Sequence, residues 1–364
     1  MQSLSAFIVF LLALFTLSSA IPLASRHRRS CSHHVPSSLS SSSTLQPSST
    51  TSSAAVLAVS ATSSTEKPSS TSSPSGITSL VKALFPVSKS SSSWTTVKGA
   101  PGALPLSDST IRPTREITSL SHDYVQSPGA DSKLAMQAHY PKGSYTFGHA
   151  EEGGFSMYSL GPKDVDLTQA KEATFGYSVM FPEGFEYNMG GKMPGLFGGD
   201  SFDVAATCSG GSRSDACWSA RLMWRADGAG ELYTYLPPYT DPRFSANEAQ
   251  CHVTPGKSEC NPTYGASVGR GSFKFASGAW TTVSQRVRLN DVGQANGELE
   301  LFVNGESVIN VGGLILRARD SGRIRGMQVQ TFFGGHTKPY ASPKDQDAYF
   351  SDFSVAITEK LDGY

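Results

Sequence analysis

The stretch WSARLMWRADGAGELYTYLP, from Trp218 to Pro237, predicts a β-hairpin. Apolar and polar side chains alternate in its first half, and a β-strand points successive side chains to opposite faces. One face is therefore apolar, whereas the other carries the hydroxyl of Ser219 and the guanidinium group of Arg221. The second half places Tyr233 and Tyr235 on a single face, and the Ala-Asp-Gly-Ala-Gly between the halves contains residues that hairpin loops favour.

The register of this hairpin decides whether its polar side chains share a face, because directly opposed residues of antiparallel strands do so. A loop of odd length centred on Asp227 places Arg221 opposite Tyr233 and Ser219 opposite Tyr235. A two-residue Asp-Gly loop would instead turn both tyrosines towards the apolar side. We expect the odd-length loop, since it keeps one face apolar and one polar. An ordinary half-buried hairpin would show the same alternation, so the hairpin alone does not establish a site.

The charge and the first residues of the chain narrow the class of protein. The 364 residues carry 30 Lys and Arg against 30 Asp and Glu, so net charge gives no reason to expect nucleic acid or an anionic membrane as partner. Residues 1–20 hold an apolar run too short to span a bilayer, followed by Ser-Ser-Ala, which predicts a secretory signal peptide. We therefore expect a secreted, extracellular protein, with an uncleaved anchor as the alternative.

The composition then separates a stalk from a domain. Residues 21–96 are rich in Ser and Thr and poor in large apolar side chains, which predicts a disordered stalk, open to O-glycosylation and in part a propeptide. Within it, residues 77–87 are more apolar and are compatible with a transient helix. From residue 97 the composition is globular, so residues 97–364 are predicted to form one domain, expected to be monomeric.

Short alternating segments separated by Gly, Pro, Asn and Asp recur through this domain and read as strands. No long amphipathic helix is found, and residues 314–325 allow one or two helical turns at most. The pattern predicts an all-β jelly roll, a sandwich of two antiparallel sheets, with two glycine-rich segments, 190–199 and 332–336, between strands. The predicted strands are Ala173–Phe181, Ser272–Phe275, Trp280–Leu289, Glu298–Val303, Glu306–Val311, Gly326–Phe333 and Ala348–Ile357.

The cysteines indicate loop-closing disulfides. Cys208 and Cys217 bracket a Gly/Ser loop, and Cys251 and Cys260 bracket a Pro/Gly loop, while Cys31 is left over. Secretion favours disulfides, and local pairing is preferred, although four cysteines allow three pairings. A zinc site is the alternative, but CxxC spacing and a nearby histidine pair are missing, so no metal is expected.

Taken together, several segments resemble a known family. GGKMPGLFGG, SARLMWRADGAGELYTY, YGASVGRGSF, GAWTTVSQRVRLN, LFVNG and TFFGGH followed by YASPKDQ are similar to the fungal branch of polysaccharide lyase family 14, over about Glu172–Ile357. The resemblance implies a β-jelly roll with its active site on the concave sheet, and an alginate or glucuronan lyase activity. The family's site residues fall on Lys192, Ser219, Arg221, Tyr233 and Tyr235.

A lyase breaks a uronan by β-elimination, removing the proton on C5 and expelling the oxygen on C4. Arg221 and Lys192 are the candidates to offset the carboxylate charge, and Tyr233 and Tyr235 the candidates for base and acid. We expect the nearby cations to lower the pKa of these tyrosines. Ser219 is expected to bind the sugar. This mechanism needs no metal or cofactor, and the expected partner is an acidic polysaccharide.

Weaker candidates surround this set. His336 follows two glycines at a strand end, and Gln330 lies on a strand face, so both are predicted to contact substrate; Tyr264, Arg270 and Gln328 share this expectation. Two other functions stay open. One is a carbohydrate-binding jelly roll without catalysis, and the other is a glycoside hydrolase, which would need paired carboxylates.

Overall fold

The computed structural model describes residues 74–148 and 151–364. The predicted signal peptide, residues 21–73 of the predicted stalk and Cys31 lie outside the described residues. Within the described ranges, no helix combines the length and apolar character needed to cross a membrane.

The described chain contains sixteen β-strands and three short α-helices. The helices are α1 (Pro74–Leu84), α2 (Asp108–Ile111) and α3 (Phe202–Ala205), and a 3₁₀ segment covers Pro242–His252. The strands are β1 (Ser92–Thr95), β2 (Pro113–Thr114), β3 (Tyr124–Gln126), β4 (Leu134–Tyr140), β5 (Phe155–Ser159), β6 (Ala170–Met180), β7 (Gly190–Gly199), β8 (Cys217–Arg225), β9 (Ala229–Tyr235), β10 (Lys257–Glu259), β11 (Ala266–Lys274), β12 (Trp280–Arg288), β13 (Gly297–Val303), β14 (Glu306–Leu314), β15 (Arg323–Phe333) and β16 (Gln346–Lys360).

The strands form two antiparallel sheets, which confirms the predicted sandwich. The first sheet has the order β14-β13-β12-β6-β16-β4-β3, with β1 paired to β16, and the second has the order β10-β11-β9-β8-β7-β15-β5-β2. One apolar core lies between them. Phe175 and Tyr177 of β6 enter it from the first sheet, and Trp218 and Trp224 of β8 enter it from the second. No helix forms between β14 and β15, where the sequence allowed a turn or two.

The hairpin of β8 and β9 has the predicted register. Arg221 pairs with Tyr233, and Ser219 pairs with Tyr235. The loop has three residues, Ala226–Gly228, and both Asp227 and Gly228 adopt positive φ angles, 57° and 73°. Because Asp and Gly tolerate this left-handed backbone best, the sequence of the loop selects the odd length that keeps the polar side chains on one face.

The glycine-rich segment 190–199 is itself a strand, which corrects its placement between strands. It forms β7, in the middle of the second sheet between β8 and β15. A Cβ atom on Gly191 would lie 2.0 Å from the Trp224 ring, and one on Gly195 would lie 2.1 Å from the carbonyl oxygen of Ala220. The glycines therefore admit close neighbours, and the register shift between Met193 and Gly195 accommodates the proline between them.

Residues before the predicted domain boundary at residue 97 pack on the sandwich. Strand β1 pairs with β16, and α1 packs against β6 and β12. Leu84 is fully buried in a small cluster with Val97 and Ala100, and its carbonyl oxygen accepts a hydrogen bond of 2.9 Å from the Ser284 hydroxyl. The Ser-rich composition of residues 74–96 concealed these few apolar contacts, so the stalk was predicted to extend too far.

Candidate active site

Five side chains meet on the face of the second sheet that points away from the core, hereafter the site face. They come from three adjacent strands, β7, β8 and β9. The Lys192 Nζ atom lies 3.3 Å from the centre of the Tyr233 ring, and the Tyr233 and Tyr235 rings are 5.8 Å apart. The structure thus brings together the residues predicted to be catalytic and the predicted sugar-binding serine, namely Lys192, Arg221, Tyr233, Tyr235 and Ser219.

Arg221 is a buried cation without an acidic partner among the described residues. Its side chain is only 2 % exposed. One Nη donates a hydrogen bond of 2.9 Å to the Gln330 side-chain oxygen, and the buried Nε has no hydrogen-bond partner. Burial lowers the pKa of Arg221, but an arginine remains charged in proteins. An unpaired buried charge is costly, so this guanidinium group is prepared for an anion from outside the chain.

Gln330 holds Arg221 rather than pointing freely at substrate. Its side-chain oxygen accepts hydrogen bonds from Arg221 and from the Gln328 amide, the latter at 2.8 Å. Its amide nitrogen donates to the Ser156 hydroxyl at 2.9 Å. These bonds come from three different strands, which is why sequence alone predicted a sugar contact and not this orienting position.

Lys192 is half-buried, and its ammonium group has few polar partners. The Nζ atom donates to the Met223 sulfur at 2.7 Å and lies over the Tyr233 ring. Burial, then the nearby Arg221 and Arg225 charges, place the pKa of Lys192 well below its usual value, while Glu231 acts in the opposite direction. A lysine in this setting can lose its proton far more readily than a solvent-exposed one.

The pKa of Tyr233 is raised, which corrects the expectation that the nearby cations lower it. Its side chain is 8 % exposed, and burial raises the pKa of Tyr233 above its usual value. The neighbouring Tyr235 acts in the same direction, and the Arg225 charge opposes it without prevailing. The sequence revealed the cations but not the burial, which dominates here. Tyr233 therefore keeps its phenol proton at neutral pH and is suited to donate it.

Tyr235 and Ser219 attach the site to a neighbouring loop. The Tyr235 hydroxyl accepts a hydrogen bond of 3.2 Å from the Gly211 backbone N–H, and the buried Ser219 hydroxyl donates one of 2.7 Å to the Cys208 carbonyl oxygen. Ser219, predicted to bind sugar, thus supports the loop in this conformation. Both predicted disulfides are confirmed, with Cys208 bonded to Cys217 and Cys251 to Cys260.

A buried ion-pair network lies beside Lys192 and was not predicted. Glu231 is fully buried and accepts hydrogen bonds from Arg225 at 2.6 Å and from Arg270 at 2.8 Å. The Ser267 hydroxyl also donates to Glu231, at 2.5 Å. These contacts occupy the Glu231 carboxylate, so it is not free to act as one of the paired carboxylates of a glycoside hydrolase, and Arg270 is paired with it. The alternation of side chains along β9 predicts that Glu231 lies on the site face. It does not identify the partners of Glu231, because they lie on other strands.

Two loops approach each other at the site face through His336 and Tyr264. Their rings are stacked with centres 5.0 Å apart, and the Tyr264 hydroxyl lies 3.2 Å from a His336 ring nitrogen. His336 is exposed, as a substrate contact requires. Among the described residues, no group of three or more His, Cys, Asp or Glu side chains is arranged to hold a metal ion.

Comparison with solved structures gives close matches to lyases. The marine PL-14 alginate lyase from Aplysia kurodai is 36% identical, with a TM-score of 0.55 over 64% of this chain and 87% of that chain. The alginate lyase vAL-1 from Chlorella virus is 25% identical, with a TM-score of 0.52 over 65% of this chain and 90% of that chain. A search of curated proteins found no significant match.

The family model that matches this chain is Polysaccharide lyase 14, over residues 129–353. Together with the sandwich fold and the cationic, tyrosine-lined site face, this match defines the protein as a polysaccharide lyase. Within that class, because the match covers more than half of the sequence, the chain belongs to the polysaccharide lyase 14 family. The fungal branch suggested by the sequence stays a prediction.

Proposed function

We propose that this protein cleaves a 1,4-linked polyuronate by β-elimination on the site face. The observation that carries the proposal is the buried, unpaired Arg221 next to a lysine with a lowered pKa and a tyrosine with a raised one. Titratable neighbours with pKa values shifted in opposite directions are typical of a base and an acid in one site. The 36% identical relative is an alginate lyase, and alginate is such a polyuronate.

Arg221 offsets the charge of the substrate carboxylate. Removing the C5 proton places negative charge on a carbon next to that carboxylate, and a guanidinium group stabilises it through two parallel hydrogen bonds. One Nη of Arg221 is held by Gln330, and a guanidinium group has further N–H donors for a substrate carboxylate. Gln330 fixes the plane of the guanidinium group, so little reorganisation is needed when the charge develops.

Lys192 and Tyr233 move the protons. Neutral Lys192 takes the C5 proton, the electron pair left on C5 forms the C4–C5 double bond, and the C4–O bond breaks. The departing oxygen takes the phenol proton of Tyr233, and solvent then restores both side chains. This proposal moves the base from the tyrosine pair to Lys192, since its lowered pKa lets it lose its proton, and so become able to accept one, more readily than an ordinary lysine. Tyr235, which interacts with Tyr233, keeps the acid in place.

The contact between Lys192 and Tyr233 restricts which uronate can be cleaved. A base and an acid in contact attack from one side of the sugar, which requires the C5 proton and the C4 oxygen to lie on the same side. D-Glucuronate and D-mannuronate meet this requirement, whereas L-guluronate, which is the C5 epimer of D-mannuronate, does not. The proposed substrate is therefore glucuronan or the mannuronate part of alginate.

The proposed place of action is outside the cell, as a monomer. The signal-like residues 1–20 support export, and the two disulfides are typical of proteins in oxidising compartments.

Ultraviolet absorbance during incubation with glucuronan, polymannuronate and polyguluronate tests the proposal, because the C4–C5 double bond conjugated to the carboxylate absorbs. We expect absorbance to rise with one or both of the first two substrates and to stay flat with polyguluronate. Folded protein that binds glucuronan or polymannuronate without any rise would identify a carbohydrate-binding jelly roll instead. A rise with polyguluronate alone would contradict the same-side arrangement.

A further inference from the structure

A cavity of about 180 Å³ lies next to the Tyr235 end of the site face. Its walls come from the loop closed by Cys208 and Cys217 and from the segments that follow β9 and precede β11. The Gly211 N–H that contacts Tyr235 belongs to this wall. The residues that line the cavity are Gly211, Arg213, Pro238, Tyr239, Thr240 and Pro262.

Arg213 is the cation of this cavity, and it is held by backbone rather than by an acid. Its two Nη atoms donate to the carbonyl oxygens of Asn261 at 2.7 Å and Pro262 at 3.3 Å. Its guanidinium carbon lies 5.7 Å from the centre of the Tyr235 ring. An arginine has five N–H donors, so the two carbonyl contacts fix the group in place and leave donors for another ligand.

The acids nearby are already paired with other arginines. Asp215, in the same loop as Arg213, forms ion pairs with Arg243 and Arg319, and Asp241 also pairs with Arg243. Among the described residues, no ion pair reaches Arg213. The positive charge of the cavity is therefore uncompensated, as is that of Arg221, and the Tyr235 ring has both guanidinium groups in its electrostatic surroundings.

We propose that Arg213 binds the carboxylate of the uronate adjacent to the one that is cleaved. The inference rests on the proposed function, since a polyuronate carries one carboxylate on every sugar and offers a second anion close to the one on Arg221. One disulfide closes the loop that carries Arg213, and the other ends at Cys260, directly before the residues whose carbonyls hold Arg213. This built arrangement makes Arg213 a substrate-binding residue rather than a side chain of an exposed loop.

Steady-state kinetics of Arg213→Gln on the uronan that the wild type cleaves tests this proposal, with Arg243→Gln as the matched control. Both changes remove one guanidinium group from the same surface, but Arg243 is paired with acids. We expect KM to rise about tenfold in Arg213→Gln with kcat changed less than twofold, and Arg243→Gln to match the wild type. The rise of KM with added salt should also be weaker in Arg213→Gln, since one screened contact is missing.

Three outcomes would overturn the assignment. The first is an unchanged KM in folded Arg213→Gln. The second is a loss of kcat with a shifted pH profile, which would mean that Arg213 acts through Tyr235. The third is an equal effect of Arg243→Gln, which would indicate general surface charge. If Arg213→Gln misfolds, Arg213→Met replaces it, and an unchanged KM and salt dependence there overturns the proposal. A wild type inactive on every uronan would refute the proposed function instead, so the two failures are distinct.

Discussion

Burial sets the protonation of the two side chains that carry the proposed chemistry. It lowers the pKa of Lys192 and raises that of Tyr233, although the two groups are in contact. Each shift opposes the charged form of its group, which is the usual effect of a poorly solvated environment. The site therefore favours a neutral lysine and a neutral phenol before substrate arrives, ready to accept and to donate a proton.

Lys192→Met should stabilise the protein and abolish turnover. The unfolded chain keeps Lys192 protonated up to its usual pKa, whereas the folded chain releases that proton earlier. Between the lowered pKa of the folded state and the usual pKa of the unfolded state, the stability of the wild type therefore rises with pH. Below the lowered pKa, Lys192 is charged in the folded state as well, and its burial destabilises the fold. We expect the free energy of unfolding to increase by about 0.5–2 kcal/mol near neutral pH and the pH-dependent rise to disappear. Urea unfolding at several pH values measures both, and a destabilised variant would contradict the account.

The same lysine predicts the pH dependence of activity. A base must be neutral to act, so kcat/KM should rise as the pH passes through the lowered pKa of Lys192. The profile of the wild type should thus have its ascending limb well below the usual lysine pKa. If Tyr235 were the base instead, the folded Lys192→Met variant would keep measurable turnover with an ascending limb of its own.

The variants Tyr233→Phe and Tyr235→Phe distinguish the general acid from the residue that positions it. Loss of the phenol that protonates the leaving oxygen should lower kcat about 10²–10⁴-fold in Tyr233→Phe. Tyr235→Phe removes the contact with the Gly211 N–H and misplaces Tyr233, which should lower kcat about 10–100-fold. Single-turnover rates compare the two. A larger loss in Tyr235→Phe would assign the acid to Tyr235.

The sequence predicted the members of the site better than their roles. Alternation along β8 and β9 was enough to place Arg221 and the two tyrosines on one face. The hydrogen-bond partners of Ser219 and Gln330 come from a loop and from strands distant in sequence, so their supporting positions could not be predicted. The direction of the tyrosine pKa shift also depended on burial, which only the assembled fold defines.

At the scale of elements, β7 shows how neighbours override local propensity. Glycine and proline weaken strands, and a segment with five glycines in ten residues therefore resembled a loop. It is a strand because β8 and β15 pair with it from both sides, and because side chains such as Trp224 need the space that glycine leaves. The β8–β9 hairpin, by contrast, satisfies its local rules and was predicted with its register.

Gly191→Ala should destabilise the protein while Gly312→Ala should not. The added methyl group on Gly191 would lie 2.0 Å from the Trp224 ring, in the core, so the ring or the strand must move. Such overpacking costs about 1–3 kcal/mol. On exposed Gly312 of β14, the nearest contact would be 3.8 Å from a Glu298 side-chain atom, which is ordinary packing. Thermal unfolding of both variants measures the difference, and equal melting temperatures would contradict the packing argument.

At the scale of the whole molecule, the folded unit also includes residues 74–96, which lie before the domain that the composition predicted from residue 97. Helix α1 covers part of the outer side of the first sheet, and β1 extends that sheet beside β16. A chain that starts at residue 97 loses both and exposes the pocket that Leu84 fills. The ordered N-terminal segment therefore belongs to the domain in any measurement of stability.

A chain starting at residue 97 should be less stable than one starting at residue 74. Burial of one leucine contributes about 1.5–3 kcal/mol, and the strand pairing of β1 adds to this. We expect a lower midpoint of urea unfolding for the shorter chain, with its lyase activity retained at low temperature, since the site face lies on the other sheet. Coincident unfolding curves for the two chains would show that α1 and β1 contribute nothing.

The central claim, elimination rather than hydrolysis on the site face, is tested most directly by mass spectrometry of the products formed in oxygen-18 water. Elimination adds no water, so the new non-reducing ends should be unsaturated, lighter than hydrolysis ends by one water, and no solvent oxygen should enter at the cleaved bond. Exchange of the reducing end is controlled with unlabelled product oligomers. Saturated ends together with oxygen-18 incorporation above that control would contradict the account and identify a hydrolase.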